Sequence, residues 1–339
     1  MRIVYLGSGA FGLPTLAALA AEHTLTGIVT QPDRPAGRGG KPTPTPVAQW
    51  AARHAADLSP ETQLLKPDRI NDRGWTDRVR ALDADAWVVI AFGQKLGRGL
   101  IADRFACNLH ASLLPRWRGA APINAAVLAG DTRTGNTVIT IADRMDAGLI
   151  LGRSQRPIEP HQTAGELHDL LAGDGPALML DVLARHARGE SVEIMGEEQQ
   201  EDLVTLAPKL SKADAWIDFA DTADACRARV HGLTPWPGVA VEHAGTRFKI
   251  LRTAAETAPD LANAPPGTQP GTQPSTLIDA QQGLVACGSG ALRLLDVQPE
   301  GGRAMTWAQF ANGRAVRAGE PVITTRPVPD RNTGPGAKQ

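Results

Sequence analysis

Short apolar runs separated by helix-forming stretches govern what the first half of this chain can become. Arg2–Leu6 reads as a buried strand, Leu25–Thr30 as a second, and Trp87–Ala91 and Cys107–His110 as further ones, while Val138–Ala142 carries a mostly apolar run of strand type. Pro14–Ala21 predicts a helix opened by a proline, whose missing N–H costs nothing at a first helical position. Strands alternating with helices predict an α/β domain on a parallel sheet. Helical stretches at Thr163–Ala172 and Gly175–His186 would close that domain near residue 190.

Beyond Glu190 the texture changes. Gly196–Glu201 is polar and charged and reads as a linker. Short β-rich segments follow at Val239–His243, Arg247–Arg252, Gly283–Cys287 and Ala291–Val297, with turn residues between them, which is the pattern of a small β-barrel or sandwich. The 339 residues also exceed one ordinary core. The expected division is a first domain over 1–190, a linker over 191–208, a β domain over 209–325 and a flexible tail over 326–339. Pro265–Pro274 holds a doubled PGTQ and reads as a duplicated surface loop without a chemical role.

Several classes of function lose support at this level. Cys107, Cys226 and Cys287 are far apart and lack metal spacing, so neither a disulfide framework nor a zinc site is expected. The start, MRIVYLGSGAFG, lacks the apolar run of a signal peptide, and no stretch reads as a membrane span, which predicts a reducing, cytoplasmic location. A net charge of −1 gives no bulk attraction to nucleic acid, so any RNA contact must be local. Gly7-Ser8-Gly9-Ala10-Phe11-Gly12 fits the dinucleotide fingerprint G-x-G-x-x-G. The supporting acid about twenty residues further on is missing, because the second strand ends Val29-Thr30-Gln31 and Asp33 lies beyond a proline. The fingerprint is better read as a tight strand-to-helix turn than as a nicotinamide site.

Chemistry concentrates in CNLHASLLPRWRG, Cys107–Gly119. Residues two apart on a strand face the same side, so Asn108 and His110 would point together at the carboxyl end of the sheet, where open α/β folds bind ligands. Asp146 follows the Val138–Ala142 strand in the turn RMDAG. An amide, an imidazole and a carboxylate suit acyl transfer to an amine. Asn108 and His110 would donate to the oxygen of a tetrahedral intermediate, and Asp146 would orient the imidazole and help take the amine's proton. An α-amino group titrates near pH 8, about where a useful fraction is already neutral, so no strong base is needed. His110 has no second ligand at suitable spacing, and no metal is expected.

These residues resemble the folate-dependent formyltransferases. Asn108-Leu109-His110 with Ser112–Pro115 carries the likeness, and SLLPRWRGAAPI (Ser112–Ile123) narrows it to the branch acting on methionyl initiator tRNA. QPDRPAGRGGK (Gln31–Lys41), LAPKLSKADAWIDF (Leu206–Phe219), LTPWPG (Leu233–Gly238) and LDVQPEGGRAM (Leu295–Met305) agree with that branch, so the resemblance spans nearly the whole chain. It implies a Rossmann-like parallel-sheet formyltransferase domain followed by an OB-like β-barrel, and formyl transfer from 10-formyltetrahydrofolate to the methionyl amine. It implies Asn108, His110 and Asp146 as catalytic residues. A folate pocket is implied near Phe92, Gly93 and Asp143, with Ser112, Leu113, Leu114 and Pro115 shaping its wall. Family members often carry tyrosine where this chain has Phe92.

The resemblance further implies that a basic, glycine-rich loop bearing Arg34, Arg38 and Lys41 inserts at the tRNA acceptor end. Read alone, that loop is an ordinary solvated one. Discrimination of initiator tRNA would rest on a weak or unpaired first base pair. In the second domain Lys209, Lys212, Arg247, Lys249 and Arg252 are candidate phosphate contacts, although basic and acidic residues balance there. Trp216 and Trp236 are expected in the core or at the domain junction rather than stacked on bases. The expected state is a monomer away from membranes. The competing readings are a sugar-nucleotide N-formyltransferase using the same donor, a folate- or RNA-binding module without catalysis, and a nicotinamide dehydrogenase.

Overall fold

The apolar runs of the first half become strands of one sheet in the computed structural model, which describes residues 1–36, 40–256, 272–314 and 316–329. Among the described residues these are β1 (Arg2–Gly7), β2 (Thr24–Val29), β3 (Gln63–Leu65), β4 (Ala86–Ile90), β5 (Phe105–His110), β6 (Arg133–Thr140) and β7 (Ile150–Pro157), in the order β7-β6-β5-β4-β1-β2-β3. Neighbours from β3 to β5 are parallel, and every residue of β4 is buried, as expected for a sheet covered on both faces. The strand read at Val138–Ala142 is β6; it starts earlier, ends at Thr140 and runs antiparallel to β5, with Cys107 opposite Thr140 and His110 opposite Thr137. An apolar run has the same appearance in either direction, so only the pairing reveals this.

Contacts divide the chain into two units. The first comprises Met1–Pro122, Thr134–Arg156 and His168–Leu206, and the second Ile123–Arg133, Pro157–Leu167 and Ala207–Gln339. Residues 191–206, expected as linker, thus group with the first unit.

The glycines of the G-x-G-x-x-G stretch have a packing explanation. Helix α1 (Leu13–Glu22) begins after a single turn at Ala10–Gly12. Tyr5 on β1 is fully buried, and a β-carbon at Gly7 would meet its ring at 2.6 Å, while one at Gly12 would lie 2.0 Å from its hydroxyl. The turn is built around a phenol. Ser8 ties the strand ends together: its hydroxyl donates to the Phe92 carbonyl and accepts from the Gln31 N–H, each at 3.1 Å.

The two helices expected at 163–172 and 175–186 are one, α2 (Ala164–Ala187), with Pro176 inside it. Gly175 lets it lie close, since a β-carbon there would sit 2.7 Å from Leu109 and 3.0 Å from Thr15.

The second unit holds an antiparallel sheet of β8 (Val239–His243), β9 (Thr246–Glu256), β10 (Leu277–Asp279), β11 (Leu284–Ala286), β12 (Ala291–Pro299) and β13 (Val322–Thr324), ordered β10-β11-β12-β9-β8-β13. Its ends meet: Leu277 N–H donates to the Glu320 carbonyl at 2.9 Å and Val322 N–H to that of Ser275 at 2.7 Å. That closure makes the sheet a small barrel. Helix α3 (Ala223–Leu233), capped by the Thr222 hydroxyl, and helix α4 (Trp307–Asn312), opened by a Thr306/Gln309 capping box, cover it. Phe248, Trp307 and Phe310 pack together in its core. Trp216 is half-buried under the Arg229 guanidinium, 3.1 Å from the ring centroid, but Trp236 is 51% exposed and is not a core residue. Arg38, residues 265–271 of the duplicated loop and residues 330–339 of the expected tail lie outside the described residues.

Candidate active site

Strand β5 delivers Asn108 and His110 to one face at its carboxyl end, by the two-residue repeat of a strand. His110 is 6% exposed. Its Nε2 lies 2.9 Å from the Trp117 carbonyl oxygen, and since a carbonyl only accepts, Nε2 carries a proton. Nδ1 faces Asp146, with 3.6 Å to Oδ2, a close approach but not a hydrogen bond. Asp146 Oδ2 accepts from the Gly119 N–H at 2.9 Å. Asp146 itself has φ 52°, in the left-handed region, which is uncommon for a residue with a β-carbon although aspartate tolerates it better than most. Asn108 is half-buried, and its amide makes no hydrogen bond to protein among the described residues. One donor group is therefore uncommitted beside an imidazole–carboxylate pair.

The loop after β5 is fixed from beneath. Ser112 donates to the Arg116 carbonyl at 2.6 Å. Thr137 on β6 donates to the Ser112 carbonyl at 2.6 Å and accepts from Leu114 N–H at 3.1 Å. Thr137 is fully buried, so these bonds are not exchanged with water. The loop returns the Trp117 carbonyl onto His110 and the Gly119 N–H onto Asp146.

A formyl transferase family model matches residues 1–183, and a formyl transferase C-terminal domain model matches 209–315. A protein named methionyl-tRNA formyltransferase from Methylococcus capsulatus is 41% identical over 321 residues, covering 93% of this chain and 98% of its own length. One of the same name from Symbiobacterium thermophilum is 37% identical over 339 residues, covering 99% of each. The chain belongs to the methionyl-tRNA formyltransferase family. Among solved structures, an N-formyltransferase from Helicobacter canadensis, in complex with folinic acid and dTDP-3-aminofucose, superposes with TM-score 0.63 at 12% identity, covering 87% of this chain and 98% of that one. HypX from Aquifex aeolicus, in complex with tetrahydrofolic acid, gives TM-score 0.56 at 13% identity, covering 91% and 46%. Those two likenesses are of fold.

The remaining residues that the family implies fall into distinct settings. The Phe92 ring is 2% exposed, and its carbonyl accepts from Ser8 and from Gln31 Nε2, each at 3.1 Å. Phe92 itself offers no side-chain hydroxyl. Gly93 follows with φ 83°, a turn that glycine adopts without penalty. Leu113 and Pro115 keep some surface, whereas Ser112 is fully buried and Leu114 is 2% exposed, packed on Ile139 and Ile150. Asp143 is exposed and pairs with Arg98.

Arg34 and Lys41 sit on a short hairpin in which Arg34 opposes Thr43 and Ala36 opposes Lys41; both cations are exposed and make no ion pair among the described residues. In the second unit Lys209, Lys212 and Lys249 are exposed. Arg247 is exposed too, but it pairs with Glu242 at 2.9 Å. Arg252 does not fit a phosphate contact: it pairs with Glu166 at 2.5 Å and Asp296 at 3.4 Å and donates to the His161 carbonyl at 2.6 Å. Two residues that sequence reasoning passed over stand beside Asp146. Gln199 Nε2 donates to the Asp146 carbonyl at 2.8 Å, and Arg118, 3% exposed, holds Gln199.

Proposed function

We propose that this chain transfers the formyl group of 10-formyltetrahydrofolate to the amino group of methionine carried on initiator tRNA. The observation that carries the reading is the His110–Asp146 pair beside the uncommitted Asn108 amide, in a chain similar along nearly its whole length to methionyl-tRNA formyltransferases. The folate co-substrate supplies the activated formyl group. The amine nitrogen bonds to the formyl carbon, the bond from that carbon to the folate nitrogen breaks, and a proton moves from the amine to the departing nitrogen. The half-buried Asn108 amide suits a developing oxyanion, which needs an N–H donor in a site sheltered from water. His110 Nε2–H is engaged by Trp117, so Nδ1 is the nitrogen left to take and return the proton. Asp146, held by Gly119, offsets the positive charge on the ring. Leu113, Pro115 and the turn at Phe92-Gly93 border the folate side. Ser112 and Leu114 act on it only by fixing the loop, and Asp143 by its place in the neighbouring turn.

The exposed Arg34 and Lys41, with Arg38 between them in sequence, suit phosphates and base edges at the acceptor end of the tRNA. Lys209, Lys212 and Lys249, with Arg247 to a lesser degree, are the second unit's candidates. Catalysis is assigned to 1–190 and tRNA support to 209–325. The enzyme acts as a monomer in the cytoplasm. A formylation assay separates this from the sugar-nucleotide alternative: methionyl initiator tRNA is formylated, while methionyl elongator tRNA and amino-sugar nucleotides are not. Faster formylation of an amino sugar would reverse the assignment.

A further inference from the structure

Residues 197–205 read from sequence as polar chain between domains. Instead they run between the loop after β5 and the turn that carries Asp146. Ile150 and Glu197 exchange backbone hydrogen bonds of 2.8 and 2.9 Å at one end. At the other, Thr205 accepts from Trp117 N–H through its hydroxyl and from Arg118 N–H through its carbonyl, each at 2.9 Å. Gln199 lies between these anchors. Its Nε2 donates to the carbonyls of Asp146 and Gly148, both at 2.8 Å, and its Oε1 accepts from Arg118 Nε at 2.9 Å. The other arm of Arg118 reaches Glu201 at 3.0 Å, and Glu201 also holds Arg144, again at 3.0 Å. All of these residues belong to the first unit.

The left-handed backbone of Asp146 gives this network a consequence for chemistry. Asp146 sits at φ 52°, a sparsely populated region for a residue with a β-carbon, and the contacts around it hold it there. Gly119 holds the Asp146 carboxylate and Gln199 holds its carbonyl, and together they set the 3.6 Å separation from His110 Nδ1. The same strap fixes Trp117, whose carbonyl engages His110 Nε2. A carboxamide is the side chain that can do this, since it offers two N–H donors to the paired carbonyls and an oxygen to the guanidinium. Glutamate at 199 would keep the size and the Arg118 contact, but would lose both donors and set a negative charge against two carbonyl oxygens.

We propose that Gln199 is a positioning residue for formyl transfer: its carboxamide, backed by the buried Arg118, holds the left-handed turn that presents Asp146 to His110. The proposal rests on the reading of Asp146 given above. The test is steady-state kinetics of the full chain with 10-formyltetrahydrofolate and methionyl initiator tRNA. Gln199→Glu and Gln199→Ala lower kcat by at least about tenfold and leave both KM values within about threefold. The pH–rate profile of kcat changes in the same sense as that of Asp146→Asn. In the Asp146→Asn background, Gln199→Glu costs less than about threefold, because the two residues act as one unit. If Gln199→Ala does not fold, Gln199→Glu carries the test, with its unfolding midpoint measured alongside. A wild-type kcat for Gln199→Glu, or an undiminished loss in the Asp146→Asn background, overturns the proposal. A wild-type rate and profile for Asp146→Asn alone instead sinks the reading of Asp146, and the proposal with it.

Discussion

Replacing Gly12 by alanine tests why the first turn is glycine-rich. The backbone there, φ −83° and ψ −6°, accepts alanine, so in open space the change would stabilise by about 0.4–1 kcal/mol through the unfolded chain. The site is not open. The new β-carbon would lie 2.0 Å from the Tyr5 hydroxyl oxygen and 3.1 Å from Ile90, and Tyr5, fully buried, has nowhere to swing. Overpacking of this kind costs about 1–3 kcal/mol. The Tyr5 hydroxyl is itself buried without a hydrogen-bond partner, so Tyr5→Phe should be neutral or stabilising. With the oxygen gone, Gly12→Ala should cost much less, only the 3.1 Å approach to Ile90 remaining, giving a coupling of about 1–3 kcal/mol between the two changes. Gly7→Ala is the internal control. Its β-carbon would meet Tyr5 Cε1 at 2.6 Å and Cζ at 2.7 Å, atoms that phenylalanine keeps, so Tyr5→Phe should not rescue it. Hydrogen exchange in urea on peptides covering β1 and β4 reads the first unit alone. Equal destabilisation by Gly12→Ala in both backgrounds would refute the packing explanation and return weight to a nucleotide-binding turn.

Other predictions follow from single contacts. Partial burial opposes ionisation of Glu166, but hydrogen bonds from Arg252 and Thr163 outweigh it and hold the carboxyl down to about 2. A depressed folded value means that this stability is present above the ordinary carboxyl range and is lost as pH falls from about 4.5 towards 2; at this exposure it amounts to about 1 kcal/mol. Unfolding midpoints between pH 5 and about 2 should fall less steeply for Glu166→Gln than for wild type, and parallel curves would contradict the pairing. Thr137→Val strips partners from the Ser112 carbonyl and the Leu114 N–H in a fully buried place. It should cost about 2–3 kcal/mol in denaturant unfolding and lower kcat; a cost below about 1 kcal/mol would argue against the bracing. Arg34→Ala and Lys41→Ala should each raise KM for tRNA, leave KM for the folate unchanged, and flatten the salt dependence of tRNA use by about one unit of slope. An unaltered salt slope would remove the hairpin from the RNA interface.

The parts of this molecule visible in sequence are those with a local signature. Asn108 and His110 share a face because a strand repeats every two residues, and β5 is where the apolar run placed it. The missing acid weighs against a nucleotide site at Gly7 and Gly12, but the phenol they enclose leaves no mark in sequence, since Tyr5 reads as one more residue of an apolar strand. In sequence two helices are parted at Gly173-Asp174; in the fold they are one, in which Gly175 lies close to Leu109 and Thr15. The direction of β6 was hidden for the reason that strand pairing is non-local. Asp146 could be named, but not its left-handed turn. Nothing in sequence marks the roles of Gln199, in a polar stretch, or of Arg118, within the Ser112–Ile123 segment, because those roles arise from segments about eighty residues apart meeting in space. Arg252 has no sequence mark that separates it from a surface cation, and only the fold brings Glu166 and Asp296 to it.

The most direct trial of the catalytic site is single-turnover formylation of methionyl initiator tRNA by His110→Ala and Asn108→Ala, with folate affinity measured on the same samples. If Asn108 steadies the oxyanion and His110 carries the proton, each variant loses at least about a hundredfold in the chemical step while folate binds nearly as before. A variant of either residue that turns over at close to the wild-type rate, with its folate affinity intact, would show that the chemistry lies elsewhere.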